Sequence, residues 1–239
     1  MKYIEKYYDD YVDRQLAVGI NDRHRSIQRW LVKFGLKKGD RVLEIGCGIG
    51  TQTQLIANYL GPQGHITAVD ISDKSIETAR KRLGHYRQVK LVAADIVQYE
   101  LEEEFDVIVM PDVIEHIPLE LHHALFGKVS KLLKAGGFVM IHLPNPYFLA
   151  WCHEHRRDLL QVIDQPIYTD VLVQNVYPHN LYIHHLETYS VFLETSDYQV
   201  IVLKKKPEEI VYQVKQPDLR KRVEQFAEKV RLKIRRHLK

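Results

Sequence analysis

Val42-Leu43-Glu44-Ile45-Gly46-Cys47-Gly48-Ile49-Gly50-Thr51 is the stretch on which the fold turns. Its first half is short and nearly all apolar, as a strand covered on both faces is. Three glycines follow at alternate positions, and a helical run, Gln52 to Leu60, comes next. Glycine permits both a tight turn and close approach of the backbone to a ligand. A ligand there lies beyond the carboxyl end of a strand and against a helix N-terminus. The glycines alone do not name that ligand. A dinucleotide loop reads GxGxxG; this one reads GxGxG, with Glu44 just ahead of it. A carboxylate at that place repels a pyrophosphate and suits a cation, such as an amino-acid ammonium or a sulfonium.

Working outward, the apolar pattern alternates between strand and helix. Arg41 to Ile45 is strand one, His65 to Val69 strand two, Val89 to Ala93 strand three, Phe105 to Met110 strand four and Phe138 to Leu143 strand five. Helices at Gln52 to Leu60, Lys74 to Leu83 and Leu119 to Leu133 fall between them. That alternation predicts a parallel sheet with helices on both faces. Upstream, Asn21 or Asp22 caps a helix reaching Phe34, with Ile27, Leu31 and Phe34 on one face and Gly35 closing it. After Leu143 the rhythm breaks into a stretch mixing prolines, charges and aromatics. A short helix is expected from Thr169 to Val176. Two β-rich runs, Tyr182 to Glu194 and Tyr198 to Lys206, follow as a hairpin around Thr195-Ser196-Asp197. The end, about Pro217 to Leu238, reads as a basic helix with an apolar stripe.

The strand ends carry acids. Asp70, about twenty residues past the loop, can accept both hydroxyls of a ribose. Asp95, ending strand three, can accept from an adenine amino group, with Ile71 and Ile96 flanking the ring. Strand four ends in Pro111-Asp112-Val113-Ile114-Glu115-His116. Taken together these motifs resemble class I S-adenosylmethionine-dependent methyltransferases, in particular the bacterial small-molecule branch that includes ubiquinone-type O-methyltransferases. The resemblance covers about Ile20 to Leu143. It implies a Rossmann-like α/β fold with a seven-stranded, mostly parallel sheet and a C-terminal antiparallel hairpin. It implies S-adenosyl-L-methionine as cofactor and S-adenosyl-L-homocysteine as product. The methionine part would lie on Glu44, Gly46, Cys47, Gly48, Gly50 and Thr51, the ribose on Asp70 and the adenine by Asp95. Pro111 and Asp112 would line the cofactor and open toward the acceptor.

Methyl transfer from a sulfonium is a direct displacement, in which alignment matters most. A base is needed when the acceptor loses a proton, as a hydroxyl does. His116 is the candidate base. The acceptor is expected under two lids. One is the N-terminal aromatic segment, with Tyr8 and Tyr11; the other is the insertion after strand five, with His153, Asp164, Gln165 and Tyr168. The chain is thus read as one domain: an N-terminal lid and helix (1–35), a cofactor core (36–143), a lid insertion (144–180), the hairpin (181–206) and a basic extension (207–239).

Composition narrows the partners. The chain has 239 residues, 45% hydrophobic and 27% charged, which is ordinary for a globular protein. No apolar run approaches a membrane span, and no apolar signal core opens the sequence. Two cysteines cannot staple a domain of this size, so a reducing, cytoplasmic setting is expected. The thirteen histidines lack the helical i, i+4 spacing of a metal pair, and no metal is expected. A net charge of +3 is weak support for nucleic acid. RNA methylation is therefore disfavoured, although the C-terminal helix is basic; its apolar stripe suits packing on the domain or in a homodimer. The acceptor is expected to be a small polar or secondary metabolite methylated on oxygen. The alternatives are a small amine, or a cofactor-binding scaffold without transfer.

Overall fold

The computed structural model describes residues 12–207. The N-terminal tyrosines, Tyr8 and Tyr11 among them, and the basic extension with its expected helix lie outside the described residues. The strands are β1 (Arg41–Ile45), β2 (His65–Asp70), β3 (Val89–Ala93), β4 (Phe105–Pro111), β5 (Leu133–Pro144), β6 (Leu181–Tyr189) and β7 (Tyr198–Lys205). The helices are α1 (Asp22–Phe34), α2 (Thr51–Leu60), α3 (Asp73–Leu83), α4 (Leu119–Leu132), α5 (Pro146–His155) and α6 (Thr169–Val176). One seven-stranded sheet has the order β3-β2-β1-β4-β5-β7-β6. The first five strands pair in parallel, and β7 joins β5 and β6 antiparallel.

The strands lie between two apolar layers, and the period-two side-chain alternation divides them. Leu43, Ile45, Ile108, Met110, Val139 and Ile141 pack with Leu125, Phe126 and Val129 of α4. Val42, Ile66, Val107, Val109 and Met140 pack on the other face with Ile27 and Leu31 of α1 and Ile56 of α2. The sheet order reverses between β1 and β4. A crevice opens at the carboxyl ends of strands at such a switch point.

Several boundaries differ from the sequence reading. The first arm of the hairpin ends at Tyr189 rather than Glu194, because Asp197 folds the connection back. Its carboxylate accepts from Val191 N at 2.7 Å and Phe192 N at 2.9 Å. β5 begins at Leu133, through Gly136 and Gly137, earlier than its apolar run suggests. The insertion holds a helix, α5, that the prolines concealed. Asn145 caps it by accepting from Tyr147 N, and Pro146 sits in its first turn, where a missing N–H costs nothing.

Candidate functional site

The crevice at the switch point is a cavity of about 280 Å³. The glycine loop forms its floor. Gly46 has φ +76°, and a side chain there would collide with Val113. Gly50 has φ +79° and packs against Leu83 of α3; it is the one residue of the expected loop set that does not face the cavity. Arg82 of α3 donates to the carbonyl of Ile49 at 2.5 Å and to Thr51 Oγ1 at 3.2 Å, pinning the loop to the start of α2.

The acids surround this floor. Glu44 is fully buried yet lines the cavity, and neither carboxylate oxygen has a hydrogen-bond partner among the described residues. Burial pushes its carboxyl up to about 8, with Thr53 opposing and Asp70 adding to the rise. An orphaned carboxylate in a cavity wall calls for a donor or a cation. Asp70 accepts from Gly48 N at 2.7 Å and Ser72 N at 3.0 Å, so the second acid both holds the loop and faces the cavity. Asp95 caps its own turn by accepting from Val97 N at 2.9 Å and also lines the cavity. Ile71, Ile96, Pro111, Cys47 and Thr51 complete the expected set on the wall. Cys47 is buried, and burial pushes its thiol up, which leaves it inert as a nucleophile.

Asp112 directly follows β4 and lies in the left-handed region, at φ +52°. Its N–H donates to the carbonyl of His142 at 2.6 Å, and its carboxylate pairs with Arg23 of α1. Burial pushes this carboxyl up, but Arg23 and a hydrogen bond from His142 outweigh burial and hold it below the ordinary range. His24, beside Arg23, also faces the cavity; burial, then Arg23, lowers it to about 4, so it is neutral.

His116 lies in a 3-10 turn after β4, one-tenth exposed, on the cavity wall. Its Nδ1 is 2.5 Å from the carbonyl of Ile163 and 3.2 Å from Asp164 Oδ1. A carbonyl only accepts, so Nδ1 carries a proton. Burial raises the Asp164 carboxyl, with His116 opposing. On the other side Glu115 Oε1 is 3.8 Å from Nε2. Glu115 is buried without a hydrogen-bond partner among the described residues, and burial followed by Asp112 pushes its carboxyl well up toward the neutral form.

The insertion residues fall elsewhere than the cavity. His153, Asp164, Gln165 and Tyr168 do not line it. Gln165 donates through its side-chain amide to the carbonyl of Ile117 at 2.8 Å, and through its backbone N–H to that of Glu115 at 3.0 Å. His153 Nε2 lies 2.5 Å from the carbonyl of Asp164. Tyr168 stacks edge-on against the exposed Tyr147. These residues hold the loop behind His116. From the insertion, Gln161 is the residue that reaches the cavity. Among the charged and polar wall residues that sequence reasoning passed over are Arg14, Gln15, Arg23 and His24. No local motif marks them; Arg23 and His24 reach the site from the start of α1, and Arg14 and Gln15 from the helical stretch before it. Among the described residues no group of three or more His, Cys, Asp or Glu is arranged to hold a metal ion, and no helix is long and apolar enough to cross a membrane.

Comparison with known proteins places this geometry. Residues 43–139 match the family model described as a methyltransferase domain. A demethylmenaquinone methyltransferase of Staphylococcus aureus is 26% identical over 121 residues, which are 50% of this chain and 49% of that protein. The chain thus spans about half the length of the curated relatives it matches. Among solved structures, the putative methyltransferase complex with the Trm112 activator from Haloferax volcanii superposes with a TM-score of 0.72 at 14% identity, covering 87% of this chain and 100% of that one. An S-adenosylmethionine-dependent methyltransferase from Clostridium acetobutylicum gives 0.64 at 15% identity, covering 84% and 98%. The N-methyltransferase NodS of Bradyrhizobium japonicum, in complex with S-adenosyl-L-homocysteine, gives 0.63 at 20% identity, covering 84% and 99%. With its glycine loop, strand-end acids and sheet order, the chain has the fold of S-adenosylmethionine-dependent methyltransferases, and residues 43–139 match a methyltransferase domain.

Proposed function

We propose that this protein transfers a methyl group from S-adenosyl-L-methionine to a hydroxyl of a small polar molecule, with His116 as general base. The fit of the cofactor rests on the orphaned Glu44 carboxylate in the cavity wall, which suits the methionine ammonium, and on Gly46 and Gly48, whose positive φ and crowding by Val113 and Gln15 leave no room for a side chain in the loop. Glu44, Gly46, Cys47, Gly48 and Thr51 would hold the methionine part, with Gly50 shaping the loop from behind. Asp70 and Ile71 would hold the ribose, and Asp95 and Ile96 the adenine. Pro111 and Asp112 would form the wall toward the acceptor. When bound, the cofactor supplies an electrophilic methyl on a sulfonium.

The observation that carries the base assignment is the place of His116 on the cavity wall with its Nδ1 anchored to the loop behind it. Nδ1–H is spent on Ile163 and Asp164, and Nε2 is the ring nitrogen assigned to the acceptor's proton. The forming imidazolium is stabilised by the carboxylate behind it, the arrangement by which a third group orients a base. Asp164, expected to touch substrate, is assigned this orienting role instead. The relatives support methyl transfer to small molecules but divide between quinone and nitrogen acceptors. A neutral amine needs no base before attack. His116→Ala with a panel of phenols, alcohols and amines decides between them: loss of turnover with retained cofactor affinity supports oxygen, and unchanged turnover on an amine overturns it.

A further inference from the structure

Helix α5 is apolar on two sides. Leu149 and Cys152 face inward and are buried. Tyr147, Phe148, Trp151 and His155 share the outer side, by the three- and four-residue spacing of a helix face. Their rings form a ladder: Phe148 stacks on Trp151 with centroids 6.3 Å apart, and Trp151 on His155 at 5.1 Å. Yet Tyr147 is 74% exposed and Trp151 46%. A helix that is apolar all round is stable when it is covered all round. Tyr168 meets Tyr147 edge-on and is itself exposed, so it does not supply that cover.

The connection between β6 and β7 extends this surface. Phe192 and Leu193 are 55% and 47% exposed. They are not loose. The buried Asp197 accepts from the N–H groups of Val191 and Phe192, and its carbonyl accepts at 2.8 Å from the N–H of Asn145, the residue that caps α5. Fixed hydrogen bonds therefore hold two large apolar side chains out to solvent beside the first turn of the aromatic helix. A contiguous apolar patch presented in this way marks an interaction surface.

Charge selects the occupant. At the far end of α5, Glu154 and Asp158 balance Arg156 and Arg157. Arg156 pairs with Asp158 at 2.8 Å, and Glu154 lies 3.9 Å from His155. A nucleic acid or an anionic bilayer is drawn by an excess of positive charge, which this end of the helix lacks. A surface whose charges cancel does not repel its own copy. The order along the helix is also self-complementary. Trp151 lies midway between Tyr147 and His155, with aromatic rings at the start of the helix and guanidinium groups just past its end. Turning α5 about a two-fold axis through Trp151 lays the Tyr147 end of one copy on the arginine end of the other, ring against guanidinium, with the helix dipoles opposed. We propose that the outer side of α5, with Phe192 and Leu193, is the face through which two copies of this chain associate, Trp151 at its centre.

Analytical ultracentrifugation of the full chain, over about a hundredfold range of concentration, is expected to show a monomer–dimer equilibrium. Trp151→Glu and Phe192→Asp should each weaken it by about tenfold or more, as loss of a central anchor does. Val32→Glu, at a comparably exposed apolar residue of α1, should leave it unchanged. In a Trp30→Phe background Trp151 is the sole tryptophan, and its emission should move to shorter wavelength as the dimer forms. A chain that stays monomeric throughout would overturn the proposal, and so would a dimer that neither Trp151→Glu nor Phe192→Asp weakens. A monomer whose Trp151 emission moves only on adding vesicles of phosphatidylcholine and phosphatidylglycerol would also overturn it, and would make a bilayer the occupant.

Discussion

His116 and Asp164 meet across the loop behind the cavity, Nδ1 to Oδ1 at 3.2 Å, with the carbonyl of Ile163 at 2.5 Å from the same nitrogen. Two residues 48 positions apart in sequence are joined because the insertion folds back under the turn after β4, tied there by Gln165 to Glu115 and Ile117. The pair anchors the imidazole through Nδ1.

On the proposed mechanism, removing the imidazole removes the base. His116→Ala should lower kcat by about 10² to 10⁴ on a hydroxyl acceptor, the usual contribution of general-base catalysis. Its affinity for S-adenosylhomocysteine should stay within threefold. Asp164→Asn should cost about tenfold, and the double variant no more than His116→Ala alone, because the two act as one unit. Steady-state kinetics on the three variants checks this; additive losses would separate Asp164 from the base.

Glu44 makes binding depend on pH. Its carboxyl is raised by burial to about 8 in the folded chain, above its ordinary value of 4.5. The folded state therefore holds a proton that the unfolded state releases. The stability from this group is full below pH ~4.5 and is lost as pH rises through about 8. A ligand ammonium favours the carboxylate, so binding at pH 7 should expel a proton. Calorimetric titration of S-adenosylhomocysteine in buffers of different ionisation enthalpy should report that release, and Glu44→Gln should abolish it. An unchanged proton count in Glu44→Gln would remove Glu44 from the ligand.

Gly48 and Asp70 hold one another. Asp70 Oδ2 accepts from Gly48 N at 2.7 Å, and Gly48 sits at φ +53°. Asp70→Ala should weaken the cofactor by about 10- to 100-fold, as loss of a charged hydrogen-bond acceptor does. Gly48→Val should match it by straining the turn. Isothermal titration gives both values, and normal affinity in both would place the ligand elsewhere.

Stability and binding should separate in the core. Phe126 of α4 is fully buried against the β4 and β5 side chains, away from the cavity. Phe126→Ala should cost about 3–5 kcal/mol of unfolding free energy. Well below its melting temperature the variant should bind S-adenosylhomocysteine as the unmodified chain does. Denaturant melts with a parallel titration test this.

The sheet was legible because strands buried on both faces are written as apolar runs, and Val42 to Ile45 and Phe105 to Met110 leave no other reading. The acids Glu44, Asp70, Asp95 and Asp112 were legible because each lies at or within two residues of the carboxyl end of a strand. What the sequence concealed depends on long-range packing. Arg23 and His24 belong to a helix whose apolar face was visible but whose polar shoulder touches the site only after folding. His142 did leave a trace, a histidine inside the otherwise apolar run of β5. Without Asp112 beside it that trace had no meaning. Asp164 was seen as part of a lid, and its contact with His116 was not, since no local pattern records how an insertion folds back.

Titration of the purified chain with S-adenosylhomocysteine, beside Asp70→Ala, tests the central claim most directly. The site at the carboxyl ends of β1, β2 and β4 predicts micromolar binding in the first and a loss of about 10- to 100-fold in the second. No binding at millimolar ligand, or equal affinity in the two proteins, would contradict it.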